Sequence, residues 1–445
     1  MNLSTLAGIL QGQLTGLDTE FTGFTIDSRT VQNGNCFIAI KGDVFDGHDF
    51  IADVAQKGAA VLVVDRDVQT TLPTITVKDT RDAFKLLGSY CRQQVTIPVA
   101  AITGSCGKTT TRALLENMLK QTGTVLASKK SFNNDIGLPL TLLQLTSSHH
   151  SAVLEIGTNH PGEIAALTQI AKPTVATVTM VAPVHIEYFG SVEAIAREKG
   201  AIFENLVESG TAVINADDVF APLWKQMANT HRVITFGRHA SADITVENVI
   251  THEAGCTTFT LVLPNEKIRV NLPLLGEHNI VNAMAASAMA WSLGAPAAAI
   301  KTGLETVQPE YGRLVEKKGM LGATVIDDSY NANPASVKAA ITFLANRSAH
   351  PILVLGDMGE LGDMAKTLHE EIGLFAKEAG VERLFCYGKN MAFAVQQFGA
   401  NGMHFDSYDT LITALKKEVT SDATILVKGS RSMKMETVVN AIVDA

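Results

Sequence analysis

An apolar run, Val99 to Ile102, ends in Thr103-Gly104-Ser105-Cys106-Gly107-Lys108-Thr109-Thr110, and a helical pattern with Ala113, Leu114, Met118 and Leu119 on one face follows directly. Strand, glycine-rich turn and helix in that order constrain the chain to a phosphate-binding loop on a parallel sheet. Glycines let backbone N–H groups approach phosphate oxygens, the helix N-terminus adds partial positive charge, the lysine reaches the β- and γ-phosphates, and the hydroxyl serves Mg²⁺. The strict GxxxxGK[ST] spacing would put the first glycine at position 102, where Ile102 stands; it falls at Gly104 instead. Cys106 reads as a small loop residue, since no base stands beside it in the sequence to activate a thiol. Such a loop needs a carboxylate from the end of a neighbouring strand. Glu155 closes the run Ala152 to Leu154 and precedes a polar, glycine-bearing loop, Gly157 to Glu163, which suits it to that part.

The loop sits in 445 residues, a length that suggests three domains at ~150 residues each. Residues 1–80 carry short strand-like runs between glycine and aspartate turns and read as a small N-terminal α/β domain. Residues 81–312 open on a helical pattern from Thr80 to Gln93. Apolar runs (Ala152 to Ile156, Val175 to Val178, Ala212 to Ile214) then alternate with helical stretches, as in a central P-loop domain whose parallel sheet is covered on both faces. The period-two pattern from Thr251 to Leu275 suggests an antiparallel addition. Residues 313–445 repeat the strand-then-helix alternation and predict a C-terminal Rossmann-like domain. The formal charge of −9 gives no general footing on nucleic acid or anionic membranes. Five scattered cysteines without CxxC spacing argue against a disulfide framework or a zinc site and fit a reducing cytoplasm. The alanine-rich stretch Asn279 to Ile300 is broken by polar residues, glycine and proline, and the N-terminus lacks a basic segment, so neither a membrane span nor a signal peptide is expected. By position alone, His185 is a lone histidine after a strand and Lys199 a solvent-facing helix lysine.

Further motifs recur in order along the chain. They are Asp27-Ser28-Arg29, Asp46-Gly47-His48-Asp49-Phe50, Asn133-Asn134-Asp135-Ile136-Gly137, Glu155-Ile156-Gly157, His185, Lys199 with Phe203, and His278-Asn279 with Asn282. Beyond them stand Asp327-Asp328-Ser329-Tyr330-Asn331-Ala332-Asn333-Pro334, the glycine-rich segment Gly356 to Gly362, and Lys428-Gly429-Ser430-Arg431-Ser432. With the P-loop, this series resembles the ATP-dependent Mur ligases of peptidoglycan synthesis over nearly the whole chain.

The resemblance implies an enzyme that uses ATP to join D-alanyl-D-alanine to UDP-N-acetylmuramoyl-tripeptide through an acyl phosphate, probing neither nucleic acid nor membrane and working as a monomer. It implies that Lys108 holds the phosphates, and that Thr109 and Glu155 hold one of two Mg²⁺ ions. His185 and a carbamylated Lys199 would hold the second. Thr103 to Thr110, Asn279, Asn282, Asp328, Tyr330 and Asn331 would surround the nucleotide, the asparagines near adenine, Asp328 at the ribose, and Tyr330 and Asn331 at the base. Arg313 would meet the phosphates. Ser28, Arg29, Asp46, Gly47 and His48 would take the UDP end, and Asn133, Asn134, Ser430 and Arg431 other parts of the substrates. Two rivals are a related ligase adding the third amino acid of the same precursor, whose Asp-Asn-Pro-Arg string is absent here, and a regulatory or motor P-loop NTPase, for which the third domain's polar motifs would have no use.

Overall fold

A computed structural model describes residues 1–42, 44–129, 132–184, 186–239, 241–252 and 255–444. The first sheet contains β1 (Gln13–Thr15), β2 (Gly23–Thr25), β3 (Asn35–Ile38), β4 (Val61–Val64) and β5 (Thr74–Thr76), in the order β1-β5-β4-β3-β2. Only the β1–β5 pair is antiparallel. The helix Thr80–Gln93 buries Ala83, Phe84 and Leu87 in this unit's core, with Leu3 and Leu6.

The second sheet comprises β6 (Val99–Thr103), β7 (Val125–Ala127), β8 (Ser151–Glu155), β9 (Val175–Val178), β10 (Thr211–Asn215) and β11 (Arg232–Phe236). All its pairings are parallel, in the order β11-β10-β9-β6-β8-β7. Every residue of β6, β8, β9 and β10 is buried, as continuous apolar runs require when both faces are covered. One face packs on the P-loop helix Lys108–Leu119 and on His278–Ser292; the other packs on helices that include Val192–Glu204. The alanine-rich stretch thus belongs to the core. Among the described residues no helix is long and apolar enough to cross a membrane.

The period-two segment forms the antiparallel sheet β12 (Thr245–Thr251), β13 (Thr257–Val262) and β14 (Lys267–Leu272), which begins six residues earlier than the pattern implied. The last sheet contains β15 (Val315–Lys318), β16 (Thr324–Asp328), β17 (His350–Gly356), β18 (Arg383–Tyr387), β19 (Gly402–Phe405) and β20 (Ala423–Lys428). Its order is β15-β16-β20-β17-β18-β19, parallel except for the edge strand β15. All five cysteines are free.

Candidate active site

The carboxyl ends of β6, β8, β9 and β10 gather at one edge of the central sheet, where open α/β sheets place their ligands. β6 delivers the P-loop there. Gly104 has φ +147° and Gly107 φ +85°, and a Cβ at either would collide, with Thr179 Oγ1 and Asn282 Oδ1 respectively. Ser105 is pinned by its N–H to the Met180 carbonyl (2.9 Å) and its hydroxyl to the Ala182 carbonyl (3.1 Å). Thr179 donates to the Cys106 carbonyl at 2.5 Å, and the Asn215 amide donates to the Thr179 carbonyl at 3.2 Å. The loop is therefore held from the ends of two neighbouring strands. Thr103 is fully buried, and its hydroxyl has no partner among the described residues.

Lys108 Nζ donates to the Gly104 carbonyl at 2.7 Å. Burial lowers its pKa, with the Glu155 charge opposing. Thr109 is the junction of the site: its hydroxyl donates to Glu155 Oε2 and accepts from Arg313 Nη2, each at 3.0 Å. Glu155 is 2% exposed, and its other oxygen accepts from the Asn133 amide at 2.9 Å. Asn133 thus belongs beside Glu155, whereas Asn134 turns away and accepts from Gly137 N (2.8 Å). A hydroxyl and a carboxylate form a hard oxygen pair that suits Mg²⁺, which commonly takes one or two protein oxygens and completes its shell with phosphates and water.

Lys199 is 2% exposed. Its position on the inner face of its helix, against the sheet, overturns the solvent-facing expectation. Burial, and then the charge of Lys108, bring its pKa down to about 7. Its neighbour Glu198 accepts from Gly162 N (2.8 Å) and Ile164 N (2.9 Å), fastening the loop after Glu155 to this helix. His185 lies outside the described residues. Among those described, no cluster of three or more His, Cys, Asp or Glu side chains forms a ready metal cage.

A cavity of about 450 Å³ opens beside the P-loop between the second and third domains. Cys106, Gly107, Thr110, Asn279, Asn282, Arg313 and Asp328 line it, together with Asn215, Asp217, Asp218, His278 and Lys428. Asn282 donates to Asn279 (2.8 Å), which donates to the Leu275 carbonyl (2.7 Å), so both amides are fixed. Lys428 is buried and donates to Asp328 Oδ2 (2.7 Å) and to the Asn331 carbonyl (2.8 Å). Across the cleft Asn333 donates to Cys106 Sγ at 3.1 Å. Tyr330 lies under Arg313, 4.7 Å from its guanidinium, with Arg431 5.8 Å away, so its ring is at the Arg313 end of the site. Asn331 is exposed. Ser430 is buried, and Arg431 pairs with Glu436 at 2.9 Å.

The first-domain candidates form a separate group. His48 is buried between Asp46 (2.7 Å) and Asp65 (3.2 Å), and Arg66 pairs with Asp46 (2.8 Å). Burial opposes ionisation of Asp46, but hydrogen bonds from His48 and Arg66 prevail and hold its pKa well below the ordinary range. A Cβ on Gly47 would strike the backbone of Ala39 and Ile40, so the turn requires glycine. Arg29 extends into solvent, bound to Asp27, and the Ser28 carbonyl accepts from Lys57 at 2.9 Å.

Sequence reasoning missed Thr179, Asn215, Asp217, Asp218 and Glu198, and gave Lys428 no role. The polar run Asn215-Ala216-Asp217-Asp218 directly after an apolar strand was an available signal, because polar residues at strand carboxyl ends mark ligand crevices.

A P-loop sheet joined to a Rossmann-like domain, with an arginine from the second crossing to the hydroxyl of the first, defines a nucleotide-dependent ligase architecture, and the chain belongs to the Mur ligase family. Family models match at 20–99 (Mur ligase family, catalytic domain), 102–290 (Mur ligase middle domain) and 312–431 (Mur ligase, glutamate ligase domain). The UDP-N-acetylmuramoyl-tripeptide--D-alanyl-D-alanine ligase of Escherichia coli (strain K12) is 41% identical over 99% of this chain and 98% of its own. A crystal structure of MurF from Acinetobacter baumannii superposes with TM-score 0.94 at 32% identity, covering 98% of this chain and 97% of that one. MurF ligase from Thermotoga maritima in complex with ADP gives TM-score 0.84 at 27% identity, covering 94% and 96%.

Proposed function

We propose that this protein is an ATP-dependent ligase that adds D-alanyl-D-alanine to UDP-N-acetylmuramoyl-tripeptide, forming the pentapeptide precursor of peptidoglycan. The observation that carries the reading is the convergence of Lys108, Thr109, Glu155 and Arg313 at one end of a cavity walled by two domains. Full-length likeness to the ligase of Escherichia coli supplies the substrates.

The tripeptide's terminal carboxylate attacks the γ-phosphorus of ATP; the bond to the β-phosphate oxygen breaks, leaving ADP and an acyl phosphate. The amine of D-alanyl-D-alanine then attacks the acyl carbon, loses a proton, and expels phosphate. The difficulty is electrostatic, since an anion must approach a triphosphate. Lys108 and Arg313 supply fixed cationic donors where charge spreads over the transferred group. Thr109 and Glu155 would hold a Mg²⁺ ion, which would supply further charge neutralisation. Lys199, with a pKa of about 7, offers the neutral amine that takes up CO₂; as a carbamate it becomes an anion suited to a second Mg²⁺ with His185. Asn279 and Asn282 border the adenine side and Asp328, oriented by Lys428, the ribose. Tyr330, under Arg313, serves the phosphate end rather than the base. Ser28, Arg29 and the Asp46-Gly47-His48 turn serve the UDP end, and Ser430 and Arg431 the peptide. Closure of the two domains excludes water from the acyl phosphate. The protein works as a monomer in the cytoplasm.

Phosphate release from ATP tests the reading. It should require both UDP-tripeptide and D-alanyl-D-alanine. ATP turnover indifferent to these substrates would point to a switch or motor NTPase, and turnover with UDP-dipeptide and a free diamino acid to the third-residue ligase. Comparing diaminopimelate- and lysine-containing tripeptides then defines the substrate.

A further inference from the structure

The connector between the second and third domains touches the P-loop helix twice. At the first turn of the helix, Arg313 reaches the Thr109 hydroxyl. One turn later, Arg112 Nη2 donates to Glu310 Oε1 at 2.5 Å and Nη1 to Glu116 Oε2 at 2.6 Å. The Arg112 side chain is only 7% exposed, and its Nε has no partner among the described residues, so these two carboxylates compensate its charge. Glu116 is shared with Lys120 (2.6 Å), which leaves Glu310 as the counterion that crosses from the connector. The Glu310 carbonyl in turn accepts from Arg313 N at 3.1 Å. One residue is thus tied to Arg112 by its side chain and to Arg313 by its backbone.

Glu310 also borders the nucleotide cavity, whereas Arg112 does not. An uncompensated carboxylate there would repel a triphosphate, and a buried guanidinium stripped of its partner is costly. Both penalties are relieved by the same contact.

We propose that the Arg112–Glu310 ion pair is a positioning device for Arg313, pinning the connector to the P-loop helix so that the Arg313 guanidinium stays at Thr109. The proposal rests on the phosphate role given to Arg313 above. Neither Arg112 nor Glu310 touches the reacting atoms; they act through Arg313.

The test is a double-mutant cycle in the full-length enzyme, followed by phosphate release with ATP varied. Glu310→Gln keeps the shape and removes the charge. With Arg313 present it should lower kcat/KM for ATP by roughly tenfold or more, the scale of loss when a catalytic group is misplaced. In an Arg313→Ala background the same change should cost less than about twofold, because coupled residues are not additive. The exchange Arg112→Glu with Glu310→Arg should recover much of the loss, with thermal melts confirming that each variant folds. Equal losses in both backgrounds would overturn the proposal, as would a Glu310→Gln crystal structure with Arg313 still bonded to Thr109. Full turnover by Arg313→Ala alone would remove the phosphate role itself, and that failure is recognised without any change at Glu310.

Discussion

Glu155 is tied on both oxygens, to Thr109 and to Asn133, and its N–H donates to Ser128 Oγ at 3.1 Å. A carboxylate fixed this way cannot drift when ligands arrive, so its charge is pre-placed. Glu155→Gln, which keeps volume and removes charge, should fold normally yet lose activity by about a hundredfold or more, as phosphate release would record. Lys199→Ala should lose most activity, and a short carboxylic acid in solution should restore part of it; an active, CO₂-insensitive variant would remove the carbamate from the mechanism. At this scale, legibility followed distance along the chain. Thr103 to Thr110 could be read because their chemistry lies in consecutive residues. Thr179, Glu198 and Arg112 could not, because each matters through a partner far away in sequence, and nothing in a lone threonine or arginine names that partner.

The elements around the site hold it by a few specific bonds. Thr179→Val keeps the shape but leaves the Cys106 carbonyl without its donor, which should cost about 1–3 kcal/mol of stability in denaturant titrations and raise KM for ATP. In the third domain, His369 is fully buried in the helix Ala365–Glu378, donating from Nδ1 to the Ala365 carbonyl (2.6 Å) and accepting from the N–H of Met358 just after β17 (3.0 Å). Burial lowers its pKa below the ordinary 6.5, although the Ala365 bond and Asp357 oppose this. The native state therefore refuses a proton that the unfolded chain accepts. The stabilisation is complete above pH 6.5 and is lost as the pH falls through the depressed native value. Urea midpoints from pH 8 down to 5 should fall, and His369→Gln should flatten that dependence. The inner strands of the second and last sheets were legible because parallel strands buried on both faces are unbroken apolar runs. Short edge strands such as β1 and β15 were not, since half-exposed runs of three or four residues carry little periodicity.

The cavity beside the P-loop lies where the second and third domains meet, so a nucleotide bound there would couple ligand to fold. ADP at about 100 times its Kd should add ~2.7 kcal/mol of stability, seen as a raised melting temperature. Asp328→Ala, which removes a wall residue contributed by the third domain and the partner of Lys428, should shrink that rise at the same ADP concentration. Three units were foreseeable from length and alternating pattern; how the second and third face each other was not, because that depends on side chains such as Arg313 and Asn333 crossing a gap that periodicity does not describe. One point of topology reaches beyond the finished molecule. β20 pairs with β16 on one side and β17 on the other, so the strand that comes latest in the third domain's sequence sits inside that domain's sheet. During synthesis, β16 and β17 leave the ribosome with open edges between them, and Lys428 arrives at Asp328 only when the final strand is inserted. A message truncated before codon 423 would therefore yield a protein lacking the seam of that sheet rather than a trimmed terminus, and quality-control proteases would find two unpaired strand edges to seize.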